Sequence, residues 1–166
     1  MNFGIIKKTD IANGPGVRVS LFVSGCRNNC PGCFNKAAQD FDYGNYYDPI
    51  YTANEIVNAL NKDYISGLSI LGGEPIEPEN VKEVIALCTI VKRLYPNKTI
   101  WLYTGFTWEY VRVNHPELLR YVDVLVDGPF IEYLKNISLV FRGSSNQRII
   151  DVQKSLELNY PVEVMI

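Results

Sequence analysis

Residues 17–35 read VRVSLFVSGCRNNCPGCFN. Val17 to Val23 is β-branched and apolar in the manner of a strand, and Ser24-Gly25 ends it. Three cysteines follow within eight residues: Cys26, Cys30 and Cys33. Three crowded thiols cannot pair off among themselves without leaving one over. The N-terminus, MNFGIIKKTD, has no apolar signal region, so the cytoplasm is the default expectation. Thiols stay reduced there, and this spacing points to metal or redox chemistry rather than disulfides.

Downstream, the pattern alternates. Thr52-Ala53-Asn54-Glu55 reads as a capping box opening a helix with Ile56, Val57 and Leu60 on its apolar face. Leu68 to Leu71 is a short strand halted by Gly72-Gly73. Pro78 suits a helix first turn, and Val81, Val84, Ile85, Cys88, Val91 and Leu94 then recur at helical spacing. Thr99 to Tyr103 predicts the next strand, Trp108–Val113 and the segment from Pro116 predict short helices, and Val122–Val126 predicts a further strand. Residues 39–51 read as a loop dense in tyrosine: Tyr43, Tyr46, Tyr47 and Tyr51. Strands separated by helical patterns predict an α/β fold with a mainly parallel sheet, here a single domain over residues 1–166.

Composition narrows the function. The chain has 166 residues, 47% of them apolar and 20% charged, with a net charge of −2, which is ordinary for a folded domain. The 16 basic residues form no block, so nucleic acid is not an expected partner. No apolar run approaches the ~18 residues needed to span a membrane. The single histidine, His115, precedes Pro116 and reads as a helix-capping or surface residue. Cys88, on an apolar helix stripe, reads as a small hydrophobe.

In α/β sheets, ligands bind beyond the carboxyl ends of the strands. The predicted strands end in the cysteine loop, in Gly72-Gly73-Glu74-Pro75, in Thr104-Gly105 and in Asp127-Gly128. Three thiolates are an incomplete set for a four-iron cluster and leave one iron open. From the residues alone, three readings compete. One is a cluster with an accessible iron. The second is a structural zinc site, which would need Cys88 or His115 as fourth ligand. The third is a Cys30–Cys33 dithiol, which leaves Cys26 unexplained.

CRNNCPGC with Phe34 directly after it resembles the signature of the radical S-adenosylmethionine superfamily, and GGEP at 72–75 resembles its second motif. Asn13-Gly14-Pro15-Gly16-Val17-Arg18 resembles the glycyl-radical-enzyme activases within that superfamily. WLYTGFTWE (101–109), VDVLVDGPF (122–130) and FRGSSNQRIIDV (141–152) look like the family that activates anaerobic ribonucleoside-triphosphate reductase. The resemblance runs to about residue 152 and leaves the tail unmatched.

It implies a partial (β/α) barrel and a 4Fe-4S cluster on Cys26, Cys30 and Cys33. It implies S-adenosylmethionine bound near Gly32, Cys33, Phe34, Gly72, Gly73 and Glu74; Thr104 is a candidate because it ends a strand at the same edge. The implied reaction cleaves S-adenosylmethionine reductively and takes hydrogen from a glycine of the large reductase subunit. A one-electron donor protein is the other implied partner, and no acid–base pair is needed. Asp127 is a weaker candidate at the same edge. Arg142, Ser144, Asn146 and Arg148 form a polar segment suited to cofactor or partner contact, or to a solvated loop. The alternatives are a radical enzyme acting on a small molecule and a zinc-stabilised binding module.

Overall fold

The computed structural model describes residues 1–165. Among them, eight strands form one mixed sheet. In chain order these are β1 (Asn2–Asp10), β2 (Val17–Val23), β3 (Asn45–Tyr46), β4 (Ile65–Gly72), β5 (Thr99–Tyr103), β6 (Val124–Asp127), β7 (Arg148–Asp151) and β8 (Val162–Glu163). Their spatial order is β3-β1-β2-β4-β5-β6-β7-β8. Only the centre is parallel: β2 with β4, β4 with β5 and β5 with β6. Both flanks are antiparallel. The expectation of a mainly parallel sheet therefore holds for the four central strands and is corrected to a mixed sheet for the whole.

The helices are α1 (Tyr51–Leu60), α2 (Val81–Leu94), α3 (Trp108–Asn114), α4 (Pro116–Leu119) and α5 (Val152–Leu158). Side chains alternate across each strand. Val19, Leu21, Leu68, Ile70, Ile100, Leu102 and Leu125 face the main core, where they meet Ile56, Leu60, Val84, Leu87, Val91, Trp108 and Leu118 from the helices. Cys88 belongs to this core and is fully buried, as its place on the apolar stripe predicts. The opposite face carries a smaller cluster of Trp101, Val126 and Ile149, with Tyr103 and Phe141 against it. Among the described residues, no helix residue joins that cluster, so this side of the sheet keeps room for a cavity.

The start of α1 differs from the predicted capping box. The helix begins at Tyr51, and Asp48 supplies the cap by accepting from the amides of Ile50 and Tyr51, both at 2.8 Å. Thr52 lies inside the helix, its hydroxyl accepting from the Asp48 amide at 3.0 Å. Likewise α2 starts at Val81 rather than at Pro78. His115 stands between α3 and α4, as the Pro116 context suggests, but makes no side-chain cap. Of the tyrosines at 43–51, Tyr47 is buried and the other three are exposed.

The unmatched tail forms α5 and β8, which pairs antiparallel with β7. Asp151 caps α5 by accepting from the Lys154 amide at 3.1 Å. Asn159 ends the helix in the left-handed region at φ 61°, a conformation asparagine tolerates.

Candidate functional site

The parallel strands end at one edge. The β2–β4 register runs to Val23 opposite Gly72, so the cysteine loop and the glycine pair leave the sheet side by side. The Gly73 amide donates to the Val23 carbonyl at 2.7 Å and the Glu74 amide to the Gly25 carbonyl at 2.8 Å. Asn80, fully buried, donates to the carbonyls of Ser24 and Glu74, both at 2.9 Å. Backbone groups must be paired when buried, and these bonds staple the start of the cysteine loop to the turn after β4.

Glu74 completes the joint. Its carboxylate is 1% exposed and accepts four hydrogen bonds. One oxygen takes the Thr104 hydroxyl at 2.7 Å and the Ile76 amide at 3.2 Å. The other takes the Gly105 amide at 2.8 Å and the Asn28 side chain at 3.0 Å. One side chain thus ties the ends of β4 and β5 to the cysteine loop. Burial pushes its carboxyl up to about 7, against the downward pull of the four donors. On the far side of the loop, the Arg27 amide donates to Glu77 at 2.7 Å, and its guanidinium bonds both Glu77 and Glu79 while lying over the Phe41 ring.

A cavity of about 360 Å³ opens beside this joint. Cys26, Cys30, Cys33 and Phe34 line it from the cysteine loop, Gly72, Gly73 and Glu74 from the turn after β4, and Tyr103, Thr104 and Gly105 from the end of β5. Among the three cysteines and the S-adenosylmethionine residues expected from sequence, Gly32 alone is absent from this lining. Gly32 stands at φ 69°, and a Cβ there would meet the Glu132 carboxyl at 2.5 Å. Its role here is the tight turn that carries Cys33 back to within 3.2 Å of the Cys30 carbonyl. Phe34 is 87% exposed at the cavity mouth.

All three thiols are free of disulfides. Among the described residues, no three His, Cys, Asp or Glu side chains form a group that could hold a metal ion as they stand. The thiols share one cavity without converging on a point. The donor chemistry nevertheless fits an iron–sulfur cluster, which takes thiolates, and residues 24–35 carry no helix or strand to oppose one. Burial pushes the Cys26 thiol up to about 11, a cost to the thiolate that a bound metal centre would offset. The fourth ligands that a zinc site would need are placed elsewhere. Cys88 is sealed in the helix-side core, its thiol pushed up to about 12 by burial, and His115 lies between α3 and α4, outside the cavity lining.

Asp127 and Arg148 face another task. Asp127, 1% exposed, accepts from the Trp108 amide at 2.6 Å and from the Arg148 Nε at 3.0 Å, while Arg148 also reaches Glu109. They tie β6 and β7 to the start of α3, and neither lines the cavity. Arg142 does line it. Sequence reading had no means to find Asn28, Tyr103, Phe130, Leu139 or Phe141 as cavity residues, because apolar and amide side chains carry no signature spacing.

The chain matches the model of a 4Fe-4S single cluster domain over residues 12–150. It is 41% identical to the anaerobic ribonucleoside-triphosphate reductase-activating protein of Enterobacteria phage T4, covering 90% of this chain and 93% of that protein. The protein of the same name from Escherichia coli K12 is 39% identical, over 89% of this chain and 96% of its own length. That from Haemophilus influenzae is 40% identical, over 90% and 97%.

Proposed function

Since the chain belongs to the family of anaerobic ribonucleoside-triphosphate reductase-activating proteins, we propose that it is a radical S-adenosylmethionine enzyme that installs a glycyl radical on the large subunit of that reductase. The observation that carries this reading is the shared cavity, in which three thiols and a glycine-glycine-glutamate turn face one space. A bound cluster and S-adenosylmethionine would supply one-electron cleavage of a carbon–sulfur bond and abstraction of hydrogen from the reductase glycine.

The chain's own residues bind and orient. Cys26, Cys30 and Cys33 would hold the iron. Gly72 and Gly73 line the cavity, and with no side chain in the way a ligand's amino group can approach their carbonyls. Glu74 and Thr104 act here by fixing the wall, since the donors and acceptors between them are already engaged. Gly32 and Phe34 shape the cysteine-loop side. Four parallel strands with helices on one face and the cavity on the other support a partial (β/α) barrel, which we read as one domain over residues 1–166. A one-electron donor protein is the second partner. Among the described residues, no helix is long and apolar enough to cross a membrane, in keeping with a cytoplasmic activase.

Anaerobic mixing of the reduced, iron-loaded protein with S-adenosylmethionine and the large subunit tests the reading. A glycyl radical signal in electron paramagnetic resonance is expected, and its loss when the radical-site glycine of the reductase is changed to alanine. Equal signals from both reductases, or 5′-deoxyadenosine formed with a small-molecule product and no reductase, would overturn it. Colourless, zinc-containing protein would favour the non-catalytic module.

A further inference from the structure

Two formally charged side chains, the cysteines aside, line the cavity: Glu74 and Arg142. They are in opposite condition. Glu74 has four donors on its carboxylate. Among the described residues, Arg142 has no carboxylate partner, and its guanidinium makes one hydrogen bond, from Nη1 to the Gln147 carbonyl at 2.7 Å. A guanidinium carries five donors and keeps its charge at any ordinary pH. Arg18, Arg27 and Arg148, by contrast, use several donors each within the protein.

The segment that presents Arg142 is held firmly. The Gln147 side-chain oxygen accepts from the amides of Gly143 and Ser144 at 2.9 and 3.1 Å, and its amide nitrogen donates to Gly128 at 3.1 Å. Phe141, the preceding residue, sits in the left-handed region at φ 55° and packs edge-on against Trp101 at 5.5 Å. A bulky residue in that region carries strain that the surroundings must offset, a condition concentrated at ligand-binding places. The result is an unmatched, pre-positioned positive fork on the wall of a cavity whose other charge is already satisfied.

We propose that Arg142 is the carboxylate-binding residue of this cavity and fixes the position of a guest through that group. The inference rests on the proposed function, which brings two carboxylate sources to the cavity: the methionine end of S-adenosylmethionine and an acidic group of the reductase polypeptide. The planar fork matches either one through paired N–H···O bonds.

The test uses full-length Arg142→Gln and Arg142→Lys, iron-loaded under anaerobic conditions, beside wild type. Iron content and unfolding temperature establish that each variant is intact. Calorimetry with S-adenosylmethionine reads the first source. The reductase concentration giving half-maximal glycyl radical reads the second. Arg142→Gln should weaken one of them by about tenfold to a hundredfold, the range for a hydrogen bond to a charged group. Arg142→Lys keeps the charge but loses the fork, and should weaken the same one by about threefold or more. Weaker S-adenosylmethionine binding assigns the carboxylate to the cofactor. Unchanged calorimetry with a raised reductase requirement assigns it to the polypeptide. An intact variant of either kind that matches wild type within about twofold in both readings overturns the proposal. Wild type that binds no S-adenosylmethionine is a separate result, and it removes the proposed function itself.

Discussion

Replacing Gly73 with alanine should disturb the cysteine loop as well as the turn it belongs to. Gly73 lies flat against the base of that loop. Its amide reaches Val23, the next amide reaches Gly25, and the Gly25 amide donates to the Ala38 carbonyl at 2.8 Å. A methyl at position 73 would stand 2.5 Å from the Gly25 carbonyl oxygen and 2.7 Å from that of Ala38. Ordinary contact begins near 3.4 Å, so the two oxygens must retreat by 0.9 and 0.7 Å. Both are main-chain atoms, and no rotamer change relieves them. Overpacking of this kind costs about 1–3 kcal/mol. Weakening the Gly25–Ala38 bond adds up to about 1 kcal/mol.

Gly25 is the neighbour of Cys26, so a displacement near 1 Å is passed to a thiol. Misplacement on that scale lowers catalysis by about a hundredfold. Gly73→Ala should therefore take up less iron than wild type, unfold at lower denaturant, and cleave S-adenosylmethionine about a hundredfold more slowly per iron. Iron and sulfide analysis, urea unfolding and 5′-deoxyadenosine release measure the three effects. A variant with full iron and a stability within about 0.5 kcal/mol of wild type would refute the steric argument. A defect confined to S-adenosylmethionine affinity would instead make Gly73 a ligand contact alone.

Serine at Cys26, Cys30 or Cys33 should abolish bound iron, whereas Cys88→Ser should keep it and cost about 1–3 kcal/mol for a polar group in an apolar core; iron analysis of the four variants decides this. Glu74 should make stability pH-dependent. Its folded pKa, about 7, lies above the unfolded 4.5, so the unfolded chain loses its proton first and stability falls as pH rises through that window. The shift corresponds to about 3 kcal/mol, and urea unfolding from pH 4.5 to 8 should show this slope in wild type and lose it in Glu74→Gln. Asp127→Ala orphans the Trp108 amide and one side of Arg148, which should cost about 2–4 kcal/mol while leaving S-adenosylmethionine affinity within twofold by calorimetry.

The central strands were legible from sequence because their signals are local. Val17–Val23 and Thr99–Tyr103 are apolar or β-branched runs closed by small residues, and both form strands at those bounds. β1 was not legible. Its NFGIIKKTD lacks a clean alternation, since much of it is only half covered and its neighbours are β2 and the two-residue β3. β7 and β8 are too short to carry a period, and pairing with β6 and with each other creates them. The antiparallel flanks therefore turned a sheet predicted to be mainly parallel into a mixed one.

The site divides the same way. Spacing alone brought Cys26, Cys30 and Cys33 together, because eight residues of loop cannot scatter them, and Gly72-Gly73 announced a turn wherever it fell. Sequence could not say that Glu74 would spend its carboxylate on Thr104, Gly105, Ile76 and Asn28, nor that Asp127 would be claimed by Trp108 and Arg148 while Arg142, in the same polar segment as Arg148, stayed unmatched. Those outcomes depend on which donors arrive within about 3 Å of a buried charge. Residues 28, 74 and 105 meet there only because three parallel strands end at one edge, and chain distance holds no record of that meeting.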